Sequence, residues 1–385
     1  MNNHDKPLAI LRIVTTIAET SEPYNQYSLP LAGKQDITLC SYFKATVPPP
    51  PATITFIEGD GTLPGFYRAL KTAFDARQYD IIHIHMVIAG FLFLLANLAF
   101  GKPMRCTVFT VSNSYQSYKL RNKLMLLPVF AFFQRVVCNS HAVFDSFPVI
   151  YKWLGGKRLC TIQNGVDIDR VDGFLRDNRP APRTGGFTVI SVGRIIKIKN
   201  PLTVVNAYRK STAPGDRLIF VGEGDMRAPV LAKARELGLE HDVQLTGLVP
   251  RNRVYETLSE ADVFISCSYG EGLPVAALEA MACRCPVILS DIQPHREIAN
   301  GTDFIPLVPA DDSDGFAREI SRFRSLPAAE RQAVGERCRA WAEKHFSLAS
   351  MNRQYAELFE RMRSGGGPSQ KTAVDRLATS NRERV

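Results

Sequence analysis

Short apolar runs alternate along the chain with longer stretches that have helical spacing. In the first half, the apolar runs are LAILRIVTTI, DITLCSYF, TITFI, DIIHIH, CTVFTV, RVVCNS and RLCTIQNG. Near-continuous apolar runs are typical of strands buried on both faces, and their alternation with helices predicts parallel β/α units. The pattern restarts with FTVISVG, RLIFVGEG, DVQLTG, ADVFISCS, CPVILSD and FIPLV. Two such halves predict two doubly wound α/β domains with a cleft between them.

The boundaries of these domains follow from changes in composition. The segment from Arg170 to Gly186 is rich in Pro, Gly, Arg and Asp, and we interpret it as the interdomain linker. The predicted domains span residues 1–180 and 187–345. An amphipathic stretch near Leu348 to Met362 predicts a last helix within residues 346–365. Residues 366–385 are basic and poor in apolar side chains, which predicts a disordered tail.

Composition narrows the class of protein. With 45% hydrophobic and 22% charged residues, the chain is typical of a soluble globular protein. Its eight cysteines show no metal-ligand spacing, and its start lacks the pattern of a secretory signal, so we expect a cytoplasmic location. The longest apolar run, from Met86 to Phe100, is shorter than the roughly 17 residues that a spanning helix needs, and predicts a buried or half-buried helix.

Two glutamates, Glu271 and Glu279, lie eight residues apart in the segment YGEGLPVAALEAMACRCPVILSD. Gly272 and Pro274 between them predict the start of a helix, whose first turn has backbone N–H groups that can hold sugar hydroxyls or phosphate oxygens. Eight residues are slightly more than two helical turns, which places Glu279 near the helix face beneath Glu271. The two carboxylates are therefore predicted to hold different parts of one ligand.

A second group of polar residues follows an earlier strand. The segment SVGRIIKIKNP places Arg194 and Lys199 in a loop before a helix that is predicted to begin near Pro201. A guanidinium and an ammonium group in one loop suit a diphosphate, through charge-assisted hydrogen bonds of about 1.5 to 3 kcal/mol each. Together with the glutamates, they indicate a binding site for a phosphorylated sugar.

These motifs resemble those of the retaining glycosyltransferase family 4, whose members have the GT-B fold and move a sugar from a nucleotide diphosphate donor. The resemblance implies two Rossmann-like domains facing a central cleft, and a C-terminal helix that crosses back to the first domain. It extends over the chain to about residue 363. The matching motifs are DIIHIH at 80–85, RVVCNSHAV at 135–143, QNGVD at 163–167, VGRIIKIKNP at 192–201, FVGEGD at 220–225, ADVFISCSYGEGLPVAALEAMA at 261–282 and PVILSD at 286–291.

The resemblance also implies roles for individual residues. Arg194 and Lys199 would hold the donor diphosphate and stabilise the leaving group, and Glu271 would bind hydroxyls of the transferred sugar near the reacting carbon. We therefore assign these three as catalytic, and Glu279 to the ribose. Further substrate-binding positions, including the backbone cradle that follows Glu271, are Gly193, Gly272, Leu273, Pro274 and Val275. We expect no metal and no other cofactor, because two cations and a helix N-terminus can neutralise a diphosphate.

Two positions depart from the family pattern. The family commonly has a histidine in a T-x-H pattern that contacts the donor sugar, and Ser112 occupies that place here, after Thr110. The glycine pair of the first loop is missing from IVTTIAETSEPYN. His83 and His85 lie at the family's DIIHIH motif, and we interpret one or both of them as structural histidines at a strand end.

The first predicted domain, which is expected to bind the acceptor substrate, has an excess of basic residues. Residues 1–180 contain 19 basic and 13 acidic side chains, and no acidic residue lies between Asp80 and Asp145. Basic residues that alternate with apolar runs suit an anionic membrane surface and a lipid-phosphate acceptor. A buried helix with solvated flanks explains the same pattern, and both interpretations stay open. The basic residues of this interval are Lys102, Arg105, Lys119, Arg121, Lys123 and Arg135.

The combined hypothesis is a cytoplasmic, peripherally membrane-associated enzyme that extends a lipid-linked or cell-surface glycan with retention of configuration. One alternative is another GT-B enzyme, such as an epimerase or a phosphorylase. Another is a degenerate sugar-nucleotide-binding partner subunit, motivated by Ser112 and the missing glycine pair. A nucleic-acid partner is not expected, because the basic residues form no aromatic-basic or helix-turn-helix pattern.

Overall fold

A computed structural model describes residues 7–18, 21–46, 48, 50–178 and 185–364. Within these ranges the chain forms two parallel β-sheets with helices on both sides. The first sheet has seven described strands in the order β3-β2-β1-β4-β5-β6-β7. They are β1 (Ala9–Val14), β2 (Asp36–Ser41), β3 (Ile54–Glu58), β4 (Ile81–His85), β5 (Thr107–Val111), β6 (Arg135–Cys138) and β7 (Leu159–Thr161).

The second sheet has six strands among the described residues, in the order β10-β9-β8-β11-β12-β13. Its central strands are almost entirely buried, because helices cover both of its faces. The strands are β8 (Thr188–Val192), β9 (Arg217–Val221), β10 (Val243–Leu245), β11 (Val263–Ser266), β12 (Val287–Ser290) and β13 (Leu307–Val308).

Helices connect the strands and complete both domains. The helix predicted to begin near Pro201 begins at that residue. In the described part of the chain the α-helices are α1 (Glu22–Asn25), α2 (Leu63–Ala76), α3 (Val87–Phe100), α4 (Leu120–Phe132), α5 (His141–Ser146), α6 (Val149–Gly155), α7 (Ile168–Asp177), α8 (Pro201–Ser211), α9 (Arg227–Glu236), α10 (Arg251–Glu260), α11 (Val275–Ala282), α12 (Gln293–Ala299), α13 (Ser313–Ser325), α14 (Ala328–Phe346) and α15 (Leu348–Arg363).

The strand order reverses at one point in each sheet. In the first sheet this point lies between β1 and β4, and in the second between β8 and β11. Loops that leave the carboxyl ends of such neighbouring strands diverge and open a crevice, where doubly wound folds bind their ligands. The predicted pair of doubly wound domains is confirmed, and β8 and β11 carry the two site motifs.

The linker interpretation is wrong for its first part. Residues 170–177 belong to α7, whose N-cap Asp167 accepts a hydrogen bond from the backbone N–H of Arg170 at 3.0 Å. Ile168 and Val171 are buried in the core of the second domain, although they precede the predicted boundary at residue 180. Asp172 is paired there with Arg339 at 2.7 Å. Residues 179–184 of the proposed linker lie outside the described residues.

The last helix returns to the first domain, as predicted. α14 ends at Phe346 and α15 begins two residues later, with the side chain of Ser347 as its N-cap. Met351, Tyr355 and Leu358 of α15 pack against strands of the first sheet. The GT-B arrangement therefore includes this crossover. The predicted tail at 366–385 lies outside the described residues.

The long apolar run forms α3, which is only partly buried. Phe93 lies in the core of the first domain, whereas Leu98 is 86% exposed. Across the described ranges, no helix combines the length and the apolar character needed to cross a membrane.

Candidate active site

A cavity of about 380 Å³ lies between the carboxyl edges of the two sheets. Loops after β8 and β11 form its second-domain wall, and loops after β1, β5 and β6 form its first-domain wall. The ten residues that the sequence assigned to the site all line this one cavity. They are Ser112, Gly193, Arg194, Lys199, Glu271, Gly272, Leu273, Pro274, Val275 and Glu279. Their individual roles remain predictions.

The loop after β8 brings two cations to the cavity. It begins at Gly193, whose φ of +140° is a backbone conformation that side chains with a Cβ rarely adopt. This turn places Arg194 at the mouth of the cavity with its side chain exposed. Lys199 points back towards Glu271, whose Oε1 lies 2.6 Å from its Nζ, and is half-buried. Arg194 is therefore exposed to solvent, whereas Lys199 is already paired with Glu271.

Glu271 is held by two donors of its own domain. Its Oε1 accepts hydrogen bonds from Lys199 Nζ at 2.6 Å and from Ser268 Oγ at 2.7 Å. Burial opposes ionisation of this carboxyl, but the Lys199 ammonium and the two hydrogen bonds outweigh it, so the pKa of Glu271 lies below its ordinary value of 4.5. The group is therefore an anion at neutral pH. Sequence reasoning missed Ser268, although it lies within the motif at 261–282, three residues before Glu271.

Glu279 is fixed by a partner that the sequence did not identify. Arg251, at the start of α10, contacts Glu279 Oε1 through Nη2 at 2.6 Å and through Nε at 2.8 Å. Burial acts to lower the pKa of Arg251, but the Glu279 carboxylate more than compensates, and the pKa is raised. The pair is almost fully enclosed, since the Glu279 side chain is 7% exposed. Glu279 thus lines the cavity while Arg251 holds its Oε1 in place.

The backbone cradle after Glu271 is also one of the places where the domains touch. A Cβ at Gly272 would overlap the carbonyl oxygen of Ser112 and lie 2.9 Å from its carbonyl carbon. Ser114 Oγ donates to the carbonyl oxygen of Glu271 at 2.6 Å, and Ser140 Oγ donates to that of Gly272 at 3.2 Å. Only glycine allows this close approach. Ser112 thus reaches the cavity at the contact between the domains.

The first-domain wall contains acceptor groups that sequence reasoning missed. Glu22 begins α1, in the loop from which the family's glycine pair is missing, and its Oε1 accepts from Asn164 Nδ2 at 2.6 Å. Burial raises the pKa of Glu22, although Asn164 and the charge of Arg251 act against this. Gln26 and Asn139 are also buried, and no described residue bonds their side-chain oxygens. Glu22, Gln26 and Asn139 all line the cavity, so this wall is polar, and none of the described residues that form it is a cation.

The two histidines of the DIIHIH motif do not line the cavity. His83 is buried between Arg12, 2.7 Å from its Nδ1, and Thr110, 2.8 Å from its Nε2. Thr110 in turn lies 2.9 Å from the Tyr355 hydroxyl on the crossover helix. Burial lowers the pKa of both His83 and His85 well below 6.5, so both are neutral. Their structural interpretation fits these positions.

No cluster of three or more His, Cys, Asp or Glu side chains among the described residues is arranged to hold a metal ion. Asp167 and Asp169, which have the spacing of a carboxylate pair, lie at the start of α7. The Asp167 side chain caps that helix. Asp167 thus has a local structural role.

Comparison with known proteins places this fold and site in a family. A family model described as glycosyl transferases group 1 matches residues 176–341, and one described as glycosyltransferase family 4 matches residues 30–170. The chain belongs to glycosyltransferase family 4. It is a glycosyltransferase with the GT-B architecture, and each model covers one of its domains.

Relatives of this glycosyltransferase act on sugars linked to polyprenyl diphosphates. One is the UDP-Gal:α-D-GlcNAc-diphosphoundecaprenol α-1,3-galactosyltransferase of Escherichia coli, 26% identical over 321 residues, which are 78% of this chain and 81% of the relative. Another is the GDP-mannose:cellobiosyl-diphosphopolyprenol α-mannosyltransferase of Xanthomonas campestris, 29% identical over 236 residues, or 58% of this chain and 59% of the relative.

A solved structure has the same fold as this glycosyltransferase. Anabaena Alr3699/HepE in complex with UDP-glucose superposes with a TM-score of 0.72 at 17% identity. The likeness covers 91% of this chain and 99% of that protein. It extends over both domains.

Proposed function

We propose that the chain transfers a sugar, with retention of configuration, from a nucleotide diphosphate donor to a lipid-linked glycan. The observation that carries the proposal is the grouping of two cations and two carboxylates on one cavity wall. Arg194 and Lys199 suit a diphosphate, and Glu271 and Glu279 suit the hydroxyls on either side of it. A nucleotide sugar has this order of groups, with a diphosphate between two polyols.

The paired arrangement indicates how charge is handled during transfer. As the bond between the sugar and the diphosphate breaks, negative charge grows on the leaving group, and preplaced cations stabilise it. Lys199 is fixed by Glu271 at 2.6 Å, which ties the cation at the diphosphate to the carboxylate at the sugar. Glu279, fixed by Arg251, would bind the ribose. The acceptor hydroxyl would attack on the face from which the diphosphate departs.

The acceptor is inferred from relatives and from the first-domain wall. Both relatives named above act on sugars attached to a polyprenyl diphosphate. The carboxyl group of Glu22 and the side-chain amides of Gln26 and Asn139 line this wall, which therefore suits sugar hydroxyls better than a second diphosphate. We therefore propose that the terminal sugar of a lipid-linked glycan enters the cavity and that its diphosphate stays outside.

A thermal-shift screen of UDP- and GDP-sugars tests the donor. A ligand present at 100 times its Kd stabilises the folded state by about 2.7 kcal/mol, so a true donor raises the melting temperature. Transfer from that donor to polyprenyl-diphosphate-linked sugars then tests the reaction. Binding without transfer to any such acceptor would favour the partner-subunit alternative, and turnover without an acceptor would favour an epimerase.

We expect transfer to survive EDTA, because Arg194 and Lys199 supply positive charge where the diphosphate would lie. The measurement is the initial rate of transfer before and after exhaustive chelation. A rate that disappears with EDTA and returns with Mg²⁺ or Mn²⁺ would show that a metal holds the diphosphate instead.

A surface beside the cavity suits the membrane on which such an acceptor lies. We call it the α4–α6 surface; it comprises the side chains of residues 119–124 and 149–153 that are exposed or partly exposed. Tyr151 OH donates to the Lys123 carbonyl oxygen at 2.8 Å, so α4 begins next to α6. Its apolar members Leu120 and Trp153 are 72% and 74% exposed. Exposed apolar side chains among cations are typical of proteins that bind anionic membrane surfaces.

We expect the protein to sediment with anionic vesicles at low salt and to leave them at high salt, because charge attraction is screened over about 10 Å at 0.1 M salt. Replacing Lys119, Arg121 and Lys123 together by Gln should reduce this binding, since each cation near the surface contributes about 1 kcal/mol. In a Trp341→Phe background, Trp153 emission should shift to the blue on binding. Equal sedimentation with neutral vesicles, or no effect of the triple change, would contradict the proposal.

A further inference from the structure

One carboxylate of the second domain is bonded entirely by groups of the first. Glu297 lies on α12, and its Oε2 accepts from the backbone N–H of Ala142 at 2.7 Å. Its Oε1 accepts from the backbone N–H of His141 at 3.0 Å and from Gln163 Nε2 at 2.6 Å. Three hydrogen bonds thus join one side chain to the first turn of α5 and to the segment that follows β7, across the domain boundary.

These bonds differ from the surface ion pairs on the same domain. Among the described residues, Glu297 forms no ion pair, and all its donors are a side-chain amide and two backbone N–H groups. Backbone donors cannot swing away as a Lys or Arg side chain can, so their geometry fixes the carboxylate in space. Its neighbour Arg296 is different, since it pairs with Asp291 within the second domain.

The contact made by Glu297 lies beside the contact made by the loop that follows β11 and contains Glu271. β11 leads to Glu271 and Gly272, and the adjacent β12 leads to α12 and Glu297. Ser140, immediately before His141, bonds the Gly272 carbonyl oxygen. The same short segment of the first domain, residues 140–142, therefore contacts both the loop after β11 and helix α12 of the second. A shift of α12 away from it would also draw Glu271 away.

We propose that Glu297 is a positioning residue that fixes the separation of the two domains, and with it the place of Glu271 in the closed cavity. Glu297 does not line the cavity. It acts through residues 140–142 and through the loop that starts at Glu271. The proposal goes beyond the proposed transfer reaction and rests on it only where Glu271 is taken to meet the sugar.

The test compares Glu297→Gln and Glu297→Asp with Arg296→Gln, which removes a charge from the same helix but breaks a pair inside one domain. Hydrogen–deuterium exchange of the peptide covering residues 139–146 should be at least tenfold faster in Glu297→Gln, because two backbone N–H groups lose their ionised acceptor. The radius of gyration of the whole Glu297→Gln protein in solution should rise. Glu297→Asp keeps the charge but is one methylene shorter, and should fall between the parent and Glu297→Gln.

Binding and turnover separate positioning from simple destabilisation. Affinity for UDP and GDP by calorimetry should stay within twofold, since the nucleotide would lie on the second domain, while kcat should fall about tenfold with little change in donor KM. Exchange and radius of gyration in Glu297→Gln equal to those of Arg296→Gln would overturn the proposal. A parent protein that binds neither nucleotide would contradict the proposed donor instead, because the exchange comparison needs no ligand.

Discussion

Glu271→Gln is expected to lower kcat/KM by about 10²- to 10³-fold, the usual cost of removing one preorganised electrostatic contact in an active site. The amide retains an acceptor oxygen for Ser268 but loses the charge that faces Lys199. The fold should persist, since α11 begins four residues later at Val275 and does not depend on the carboxylate. Circular dichroism and initial rates of transfer are the measurements.

The factor by which Glu271→Gln lowers the transfer rate should also be the same at every pH from about 5 upward. Because the pKa of Glu271 lies below 4.5, the parent carboxylate is ionised at every pH from about 5 upward. Its protonation would weaken the parent only below that range. The control is Glu336→Gln, which removes a carboxylate that is paired with Arg284 on the surface of the same domain. Near-parental turnover of Glu271→Gln would refute its catalytic assignment.

Gly272→Ala is expected to reduce kcat by about 100-fold, because displacement of catalytic groups by about 1 Å has effects of this size. The added Cβ would overlap the carbonyl oxygen of Ser112, which is backbone and cannot rotate away. Each domain should stay folded, while the two are forced apart at the loop that carries Glu271. Transfer rates and the radius of gyration in solution report the two effects.

Gly270→Ala is the matched control for this change. A Cβ at residue 270 would lie 3.2 Å from Ser117 Oγ and 3.3 Å from the Cδ1 of Ile198, and both are side-chain ends that can shift. We expect a small loss there. If Gly272→Ala and Gly270→Ala retained equal activity, the contact between Gly272 and Ser112 would not limit closure.

The strands and the paired domains were predictable because each buried strand is a continuous apolar run. The helix α7 was missed because composition was averaged over residues 170–186, which mixed a helix with the segment that follows it. The periodic apolar positions Ile168 and Val171, together with Asp167 as N-cap, would have revealed it. For this helix, the periodicity of apolar residues was a better predictor than the average composition of the segment.

The site was predictable only where one motif carries its residues. Arg251 lies 28 residues from Glu279 in the chain, and the donors to Glu297 lie 134 to 156 residues away. Such contacts are created by the topology of the sheets, so the spacing of residues along the sequence does not predict them. The acceptor groups of the first-domain wall were missed for a related reason, since the resemblance drew attention to the glycines missing from that loop rather than to Glu22.

The crossover helix has a consequence for how the protein is made. Synthesis proceeds from the amino end, and domains ordinarily fold as they emerge. One face of the first sheet, around Ile10 and Val108, is covered by Met351 and Leu358 of α15. That face stays open until the ribosome has already released the strands of the second sheet. The first domain is therefore translated first, but its folding is completed last.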